Sequence, residues 1–332
     1  MTRRSTIVAV VLALILAACG GAATPSATTA VDQTTTVPTT TSTTPTTSTT
    51  TTTEPDDGFP VTIDAANGPV TLSARPERIV SISPTATEML FAIGAGDQVV
   101  AVDGLSTYPD DTPVTDLSGF EPNVEAISSY EPDLVVLSFD PGDVIDGLDA
   151  IGIPAILQPA AASLDDTYTQ IEQLGAATGR IADAATVVSR MQSDIDAIVA
   201  SMPPFDEAPT YYHELDPTLY SVTSSTFVGE IYGLLGLVDI ADAADPDGYG
   251  YPQLSAEYII EQDPDFIFLA DTKCCGQDAE TVAARPGWAG LTAVQEGRVV
   301  ALDDDVASRW GPRIVELLAT IADAVAQLEP VG

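Results

Sequence analysis

The sequence predicts an α/β protein of two lobes joined by a helical connector. Short β-branched or apolar runs alternate with helix-like segments on both sides of residues 164–202, which is typical of parallel sheets covered by helices. Residues 164–202 themselves have an almost wholly helical pattern, with a break near Gly179, and Pro203-Pro204 ends it. About 270 residues follow the low-complexity segment near the N-terminus, which is enough for two lobes of ordinary size.

The first lobe is predicted over residues 58–165. Its strand-like runs are residues 78–82, 99–102, 134–137 and 154–157. After the first run, the apolar-periodic stretch Met89, Leu90, Ile93 predicts a helix that ends at Gly94. Thr85 with Glu88 fits a capping box, which makes Thr85 the predicted N-cap residue.

The connector is predicted over residues 166–204 and the second lobe over residues 205–332. Strands are expected at residues 210–214, 266–269 and 299–302, and helices at residues 227–235, 256–262 and 314–328.

One segment of the first lobe is repeated in the second. Residues 125–137 align without a gap on residues 257–269, and they share a glutamate, an isoleucine, an acid, Pro-Asp and a final apolar run. Each copy predicts a short helix, because proline disfavours helix at the residue before it, followed by a buried strand. The repeat would give Glu125 and Glu257 equivalent positions in the two lobes. Chance recurrence of a helix-Pro-Asp-strand unit is the alternative.

Residues 1–18 have the features of a cleavable export signal. Arg3 and Arg4 are followed by an apolar run from Ile7 to Leu16, too short for a bilayer span of roughly 20 residues. Leu16-Ala17-Ala18-Cys19 resembles the lipobox of bacterial lipoproteins. This resemblance implies that Cys19 is lipidated and anchors an extracytoplasmic protein to the outer face of the cell membrane. An ordinary secretory signal is the alternative, and the sequence does not distinguish Sec from twin-arginine export.

Residues 19–57 are predicted to be a disordered tether. From Ala22 to about Pro55 they are almost entirely Thr, Ser, Pro and Ala, with too little apolar surface to form a core.

Charge and composition exclude several kinds of partner. The chain has 49 acidic and 11 basic residues and a formal net charge of −38, which disfavours binding to nucleic acid or anionic lipid headgroups. Membrane contact is therefore expected through the lipid alone. With a single histidine, His213, and only Cys274 and Cys275 besides Cys19, we expect no metal site.

No catalytic residues or resident cofactor are predicted. The sequence contains no Gly-x-Ser-x-Gly elbow and no zinc-protease motif, and Gly94-x-Gly96 follows a helix where a dinucleotide fingerprint would open one. His213-Glu214 lies in a strand-like run, which favours a core or wall histidine over a catalytic base. A passive surface or adhesion module stays open as an alternative.

Motifs distributed after the tether resemble one transport family. They are residues 78–84 with Thr87-Glu88, residues 123–125, residues 132–135 and residues 308–313. They resemble the periplasmic vitamin B12- and ferric-siderophore-binding proteins, which serve ABC importers of corrinoids, ferric siderophores and haem. The resemblance implies the class III periplasmic-binding-protein fold, in which one long helix joins two α/β lobes and the ligand occupies the cleft between them. It also implies a monomer that meets an ABC permease with its ATPase.

The resemblance assigns roles to individual residues. Glu125 and Glu257 match the family's permease-docking glutamates. Where the family has first-lobe aromatic contacts, this chain has Gly119, Ser138 and Leu105, with aromatic residues nearby. The expected ligand contacts are Tyr108, Phe120, Phe139, Tyr220, Tyr251, Asp305 and Arg309.

The expected ligand is a corrinoid or another large, weakly charged metal chelate. Basic residues near the expected cleft are few, namely Arg285, Arg309 and Arg313, whereas highly anionic siderophores usually require arginine clusters. A ferric siderophore or haem remains the alternative ligand. A carrier of bare Zn²⁺ or Mn²⁺ would need several histidines.

Cys274 and Cys275 follow the predicted strand 266–269, whose carboxyl end should face the cleft. An oxidising exterior would allow a vicinal disulfide, although Cα atoms about 3.8 Å apart lie below the usual range for disulfides. We hypothesise that this bond gives the cleft a rigid, apolar rim. Two reduced thiols are the alternative.

Overall fold

The computed structural model describes residues 58–328. The predicted signal, the lipidation site Cys19 and the tether over residues 19–57 therefore lie outside the described residues. Within residues 58–328, no helix combines the length and apolar character that a membrane span requires.

The first lobe is built on a four-stranded parallel sheet. Its elements are β1 (Val61–Ala65), β2 (Gly68–Leu72), β3 (Ile79–Ile82), α1 (Pro84–Ala92), β4 (Val99–Val102), α2 (Val124–Ser128), β5 (Leu134–Leu137), α3 (Val144–Asp149) and β6 (Ala155–Leu157). The sheet order is β4-β3-β5-β6, and every residue of β3 and β5 is buried. Burial on both faces explains why these strands are continuous apolar runs in the sequence.

The hairpin of β1 and β2 was not predicted. Its two strands pair antiparallel from Val61 with Leu72 to Ala65 with Gly68. At the turn, the Asn67 side chain donates to Ala155 O over 2.9 Å and accepts from Leu157 N over 3.0 Å. The hairpin therefore occupies polar backbone groups on the outer edge of β6, a kind of edge that invites unwanted strand pairing when left open.

The connector consists of two helices, α4 (Leu164–Thr178) and α5 (Ile181–Ser201). Gly179 separates them in the left-handed conformation, with φ of 70°. Helix α4 packs on β1 and α1 of the first lobe, whereas α5 packs on the C-terminal helix of the second. The single long helix expected between the lobes is therefore α5, which has 21 residues.

The second lobe has the same topology as the first. Its elements are β7 (Thr210–Glu214), α6 (Phe227–Leu234), β8 (Val238–Asp239), α7 (Ala256–Gln262), β9 (Phe266–Leu269), α8 (Thr272–Cys275), α9 (Ala279–Ala283), α10 (Thr292–Gln295), β10 (Val299–Ala301), α11 (Asp304–Ala307) and α12 (Ile314–Val325). The sheet order β8-β7-β9-β10 corresponds strand by strand to β4-β3-β5-β6. The two-residue strand β8 has no counterpart in the prediction.

The sequence repeat is also a repeat of local structure. Helices α2 and α7 begin at equivalent caps, because the side chains of Asn123 and Ser255 each accept from the N–H three residues later. The chain then leaves both helices through a left-handed non-glycine residue, Glu131 with φ of 49° and Asp263 with φ of 43°. Both residues precede the Pro-Asp pair of the repeat.

The aspartate of each Pro-Asp pair has the same structural task. The carboxylate of Asp133 accepts from the N–H groups of Glu77 and Arg78, over 2.8 and 2.9 Å, where the chain enters β3. Likewise Asp265 accepts from Thr210 N over 2.8 Å, where the chain enters β7. Each aspartate thus ties the repeated strand to its central neighbour.

Strand β7 is unusually polar for a central strand. Tyr211, Tyr212, His213 and Glu214 are all buried. His213 Nδ1 lies 2.8 Å from Tyr232 Oη, and burial lowers the histidine pKa to about 3. His213 is therefore a neutral core residue, as the strand-like pattern around it indicates.

Burial also perturbs an acid beside β7. Asp239, on β8, is almost fully buried, and this desolvation raises the pKa of its carboxyl to about 7, although its oxygen accepts from Ala241 N over 2.8 Å.

We expect Asp239→Asn to flatten the pH dependence of stability between about pH 4 and pH 7, the ordinary pKa of aspartate being near 4. In this window the folded state retains a proton that the unfolded state has lost. The contribution is therefore complete below the window, and the free energy of unfolding falls as pH rises through it. Thermal unfolding from pH 4 to 8 would show this, with exposed Asp194→Asn as control. Parallel profiles for Asp239→Asn and the parent protein would contradict it.

Candidate functional site

The expected ligand residues lie in segments that follow the carboxyl ends of the strands. Tyr108 lies in the loop after β4, Phe139 follows β5, Tyr220 follows β7, and Asp305 follows β10. In open α/β sheets, ligands bind at this edge. The segment after β10 also contacts α1 and the loop after β4, so the carboxyl edges of the two sheets face each other.

Aromatic side chains are exposed at this edge in both lobes. Phe120 is 67% exposed and Phe139 is 40% exposed, and their ring centroids lie 5.9 Å apart. Tyr108, Tyr220 and Tyr251 are also exposed. Exposed rings around a cleft are suited to covering an apolar macrocycle.

The positions of Gly119 and Phe120 have a steric explanation. A Cβ atom added at Gly119 would lie 3.1 Å from the carbonyl oxygen of Ile82, so a larger side chain would require a shift of β3. Phe120, one residue later, is free to project its ring.

Backbone pairing holds the two tyrosines of the second lobe. Tyr220 forms a bridge with Gln253, and Ser221 N donates to Pro252 O over 3.0 Å. The Gln253 side chain donates to Thr218 O over 2.9 Å. The segments that carry Tyr220 and Tyr251 are thus fixed to one another.

Sequence reasoning missed one exposed tyrosine in this region. Tyr249, two residues before Tyr251, is 80% exposed. The carboxylate of Asp245 accepts from the N–H groups of Tyr249 and Gly250, which orders the loop. The alternation Gly-Tyr-Gly-Tyr at residues 248–251 was the available signal.

Asp305 and Arg309, both expected to contact the ligand, are paired with each other. Arg309 Nη2 lies 2.7 Å from Asp305 Oδ1 and 3.0 Å from Leu105 O, and Arg309 Nη1 lies 2.6 Å from Glu88 Oε1. Arg309 is only 9% exposed. Its guanidinium is thus largely occupied by protein, whereas Asp305 keeps an accessible side.

The predicted capping box at Thr85 and Glu88 is wrong. Ser83 is the N-cap residue of α1, and its hydroxyl accepts from Ala86 N over 3.3 Å, with Pro84 in the first turn. Glu88 is 3% exposed and accepts from Arg313 Nε over 2.9 Å and Arg313 Nη2 over 2.5 Å, in addition to Arg309. The local pattern could not reveal these partners, which lie more than 220 residues later in the chain.

Cys274 and Cys275 are bonded to each other at the end of α8, with Cα atoms 3.8 Å apart. The carboxylate of Asp304 accepts from three successive N–H groups, those of Thr272, Lys273 and Cys274, over 2.8 to 3.0 Å. Asp304 therefore attaches α8, which carries the two cysteines, to α11.

Next to α8 lie two buried acids, Glu214 and Asp271, and one arginine, Arg285. Arg285 donates to both oxygens of the fully buried Glu214, over 2.5 and 2.6 Å. Asp271, also fully buried, has its pKa raised to about 7 by burial and then by the charge of Glu214. Arg285 is consequently committed to the lobe interior.

Glu125 and Glu257 are both exposed in the first turns of α2 and α7. Each glutamate is the second residue after its capping residue, Asn123 in α2 and Ser255 in α7, so the two occupy equivalent positions in the repeat.

Two further observations concern metal ligands and a cavity. Within residues 58–328, no group of three or more His, Cys, Asp or Glu residues is placed to hold a metal ion. A cavity of about 780 Å³ lies elsewhere, at the amino ends of β9 and β10, and its lining includes Phe266 and Arg298 but none of the expected ligand residues.

Comparisons with known proteins agree with this architecture. The sequence model of the family described as periplasmic binding protein matches residues 79–306. YvrC of Bacillus subtilis, an uncharacterised ABC transporter substrate-binding lipoprotein, is 34% identical over 277 residues, 80% of this chain and 86% of the relative. A cobalamin-binding protein of Halobacterium salinarum is 34% identical over 279 residues, 80% of this chain and 74% of the relative.

A solved structure shows the same fold. The periplasmic haem-binding protein HutB of Vibrio cholerae has a TM-score of 0.67 and 25% identity, covering 76% of this chain and 99% of its own. The fold class and the family resemblance inferred from the motifs are thereby confirmed. The chain belongs to the periplasmic binding protein family, whose members are the solute-binding proteins of transporters.

Proposed function

We propose that this protein is the substrate-binding lipoprotein of an ABC importer and captures a cobalamin-type corrinoid for delivery to the permease. The observation that carries the proposal is the set of exposed aromatic rings at the carboxyl edges of both sheets, led by Phe120 and Phe139. The cobalamin-binding relative, aligned over four-fifths of this chain, supports the ligand class.

The state of the arginines favours a weakly charged ligand. Arg309 and Arg313 are paired with Glu88, and Arg285 is paired with Glu214. An anionic siderophore needs arginines with free donors, because bidentate charge-assisted hydrogen bonds supply much of its binding. The three arginines that could have met such a ligand are thus already paired with carboxylates, namely those of Glu88 and Glu214 and, for Arg309, also that of Asp305.

Haem is the second candidate because HutB, a structural relative, is a haem-binding protein. The histidine of this chain could not coordinate haem iron, since His213 is fully buried and its Nδ1 is occupied by Tyr232. Exposed tyrosines such as Tyr249 are then candidate axial ligands.

The remaining parts of the proposal concern place and partners. The lipid on Cys19 would hold the protein on the outer face of the cell membrane, and residues 19–57 would let it move there. The partners would be the permease, its ATPase and the chelate, with the protein acting as a monomer and without enzymatic activity. Glu125 and Glu257 would meet the permease through complementary charge, which fixes orientation more than it adds affinity.

Ligand binding can be tested with cyanocobalamin, which should raise the melting temperature in a concentration-dependent manner. The double substitution Phe120→Ala, Phe139→Ala should weaken binding roughly tenfold, because each aromatic contact is worth about 0.5–1.5 kcal/mol beyond its buried area. Ile181→Ala, at an exposed apolar position on α5, serves as the control. Stabilisation by haemin or a ferric hydroxamate with no response to cyanocobalamin would contradict the ligand assignment.

The docking assignment predicts that Glu125→Lys with Glu257→Lys abolishes uptake of labelled cyanocobalamin while binding to the purified protein stays unchanged. Each reversed charge would repel the basic site that the glutamate meets. Glu172→Lys with Glu280→Lys, at two other exposed glutamates, should leave uptake intact. Normal uptake by the Glu125, Glu257 double variant would exclude these residues as the docking points.

The redox state of the vicinal cysteines can be read by mass spectrometry of the intact protein after alkylation. A disulfide between Cys274 and Cys275 predicts no added alkyl groups before reduction and two afterwards. Two groups added without a reductant would show free thiols and end the hypothesis of a rigid rim.

A further inference from the structure

A single carboxylate of the first lobe binds two arginines of the second. Glu88 lies in α1, and its side chain is buried at the junction of the lobes. Its oxygens accept three hydrogen bonds, one from Arg309 and two from Arg313. A buried charge is tolerated only with such complete pairing, so the two arginines are held where the carboxylate lies.

Both arginines also touch the first-lobe wall of the cleft. Arg309 donates to the carbonyl oxygen of Leu105 over 3.0 Å. The guanidinium carbon of Arg313 lies 4.1 Å from the ring centroid of Tyr108. Leu105 and Tyr108 belong to the exposed loop after β4. The group around Glu88 therefore determines where this wall lies relative to the segment that carries the arginines.

The same network continues to the second-lobe wall. Arg309 pairs with Asp305, and Asp305 accepts from Lys273 Nζ over 3.0 Å. Lys273 also pairs with Asp303 over 2.6 Å and precedes the bonded cysteines Cys274 and Cys275. A continuous series of ion pairs thus runs from Glu88 in α1 through Asp305 in α11 to Lys273 in α8. This series joins one wall of the cleft to the other.

We propose that Glu88 is a positioning residue that sets the spacing of the two cleft walls and so selects ligands by thickness. The inference rests on the proposed function only for the identity of the ligand. Glu88 acts through Arg309 and Arg313 and does not itself touch the ligand. Removing the charge of Glu88 takes away the ionic attraction that holds Arg309 and Arg313 of the second lobe against α1 of the first, so the two walls move apart.

The spacing can be measured without any ligand. Spin labels attached through Ser129→Cys and Glu261→Cys, at equivalent exposed positions of the repeat, report the distance between the lobes in the full-length lipoprotein in detergent. Glu88→Gln should lengthen and broaden the distance distribution. Exposed Glu172→Gln, which removes a charge from α4, should leave the distribution unchanged. Labelled protein without the introduced cysteines corrects for any reaction at Cys274 and Cys275.

Selection by thickness is tested with two corrinoids. Dicyanocobinamide lacks the lower nucleotide of cyanocobalamin and is therefore thinner. In Glu88→Gln, affinity for cyanocobalamin should fall at least tenfold, and affinity for dicyanocobinamide should fall further, because the wider cleft cannot contact both faces of the thinner ligand. A merely structural role for Glu88 would lower both affinities by the same factor, which would overturn the proposal.

A second variant distinguishes a change in wall spacing from misfolding. Arg313→Lys keeps the charge but loses the planar fork that binds Glu88 and covers Tyr108. It should show part of the increase in distance, and in combination with Glu88→Gln the effects should not add, because the residues act as one unit. Parent-like distances in both folded variants would refute the role of Glu88. Failure of the parent protein to bind cyanocobalamin would instead refute the proposed ligand, while the distances would still test the spacing.

Discussion

The ion pairing of Glu88 at the lobe junction constrains the arrangement of the whole molecule. A desolvated carboxylate between two sheets is costly unless several donors reach it, and here those donors arrive from the segment between α11 and α12. The C-terminal segment must therefore return to the first lobe. Since α5 joins the lobes and packs on α12, the lobes are connected both by this helix and by the ion pairs of Glu88.

Charge and apolar surface are divided in an orderly way around the cleft. The arginines near the cleft are turned inward to buried glutamates, whereas phenylalanine and tyrosine rings are left exposed. The chain as a whole has a net charge of −38, but the cleft surface presents mostly the faces of aromatic rings. Polar specificity then depends on few groups, among them the partly exposed acids Asp303 and Asp305 of the charge network.

Local patterns in the sequence predicted most of the fold and the repeat. Buried strands such as β5 are apolar throughout and therefore leave a clear pattern in the sequence. The pairing of Glu88 left no such local pattern, because its partners lie more than 220 residues away in the chain. The spacing of Thr85 and Glu88 also matches that of a capping box. Strands β1 and β8 were missed because their edge positions require little apolar sequence. The exposed aromatic residues could be proposed by resemblance, but their degree of exposure required the structure.

The repeat has a consequence for how a partner meets the protein. Corresponding caps, left-handed turns and aspartate ties give the two lobes the same local frame around Glu125 and Glu257. A partner with two like contact sites related by a twofold axis would find the same feature on either lobe. Such a partner could accept the protein in two opposite orientations, and only differences outside the repeat would favour one of them.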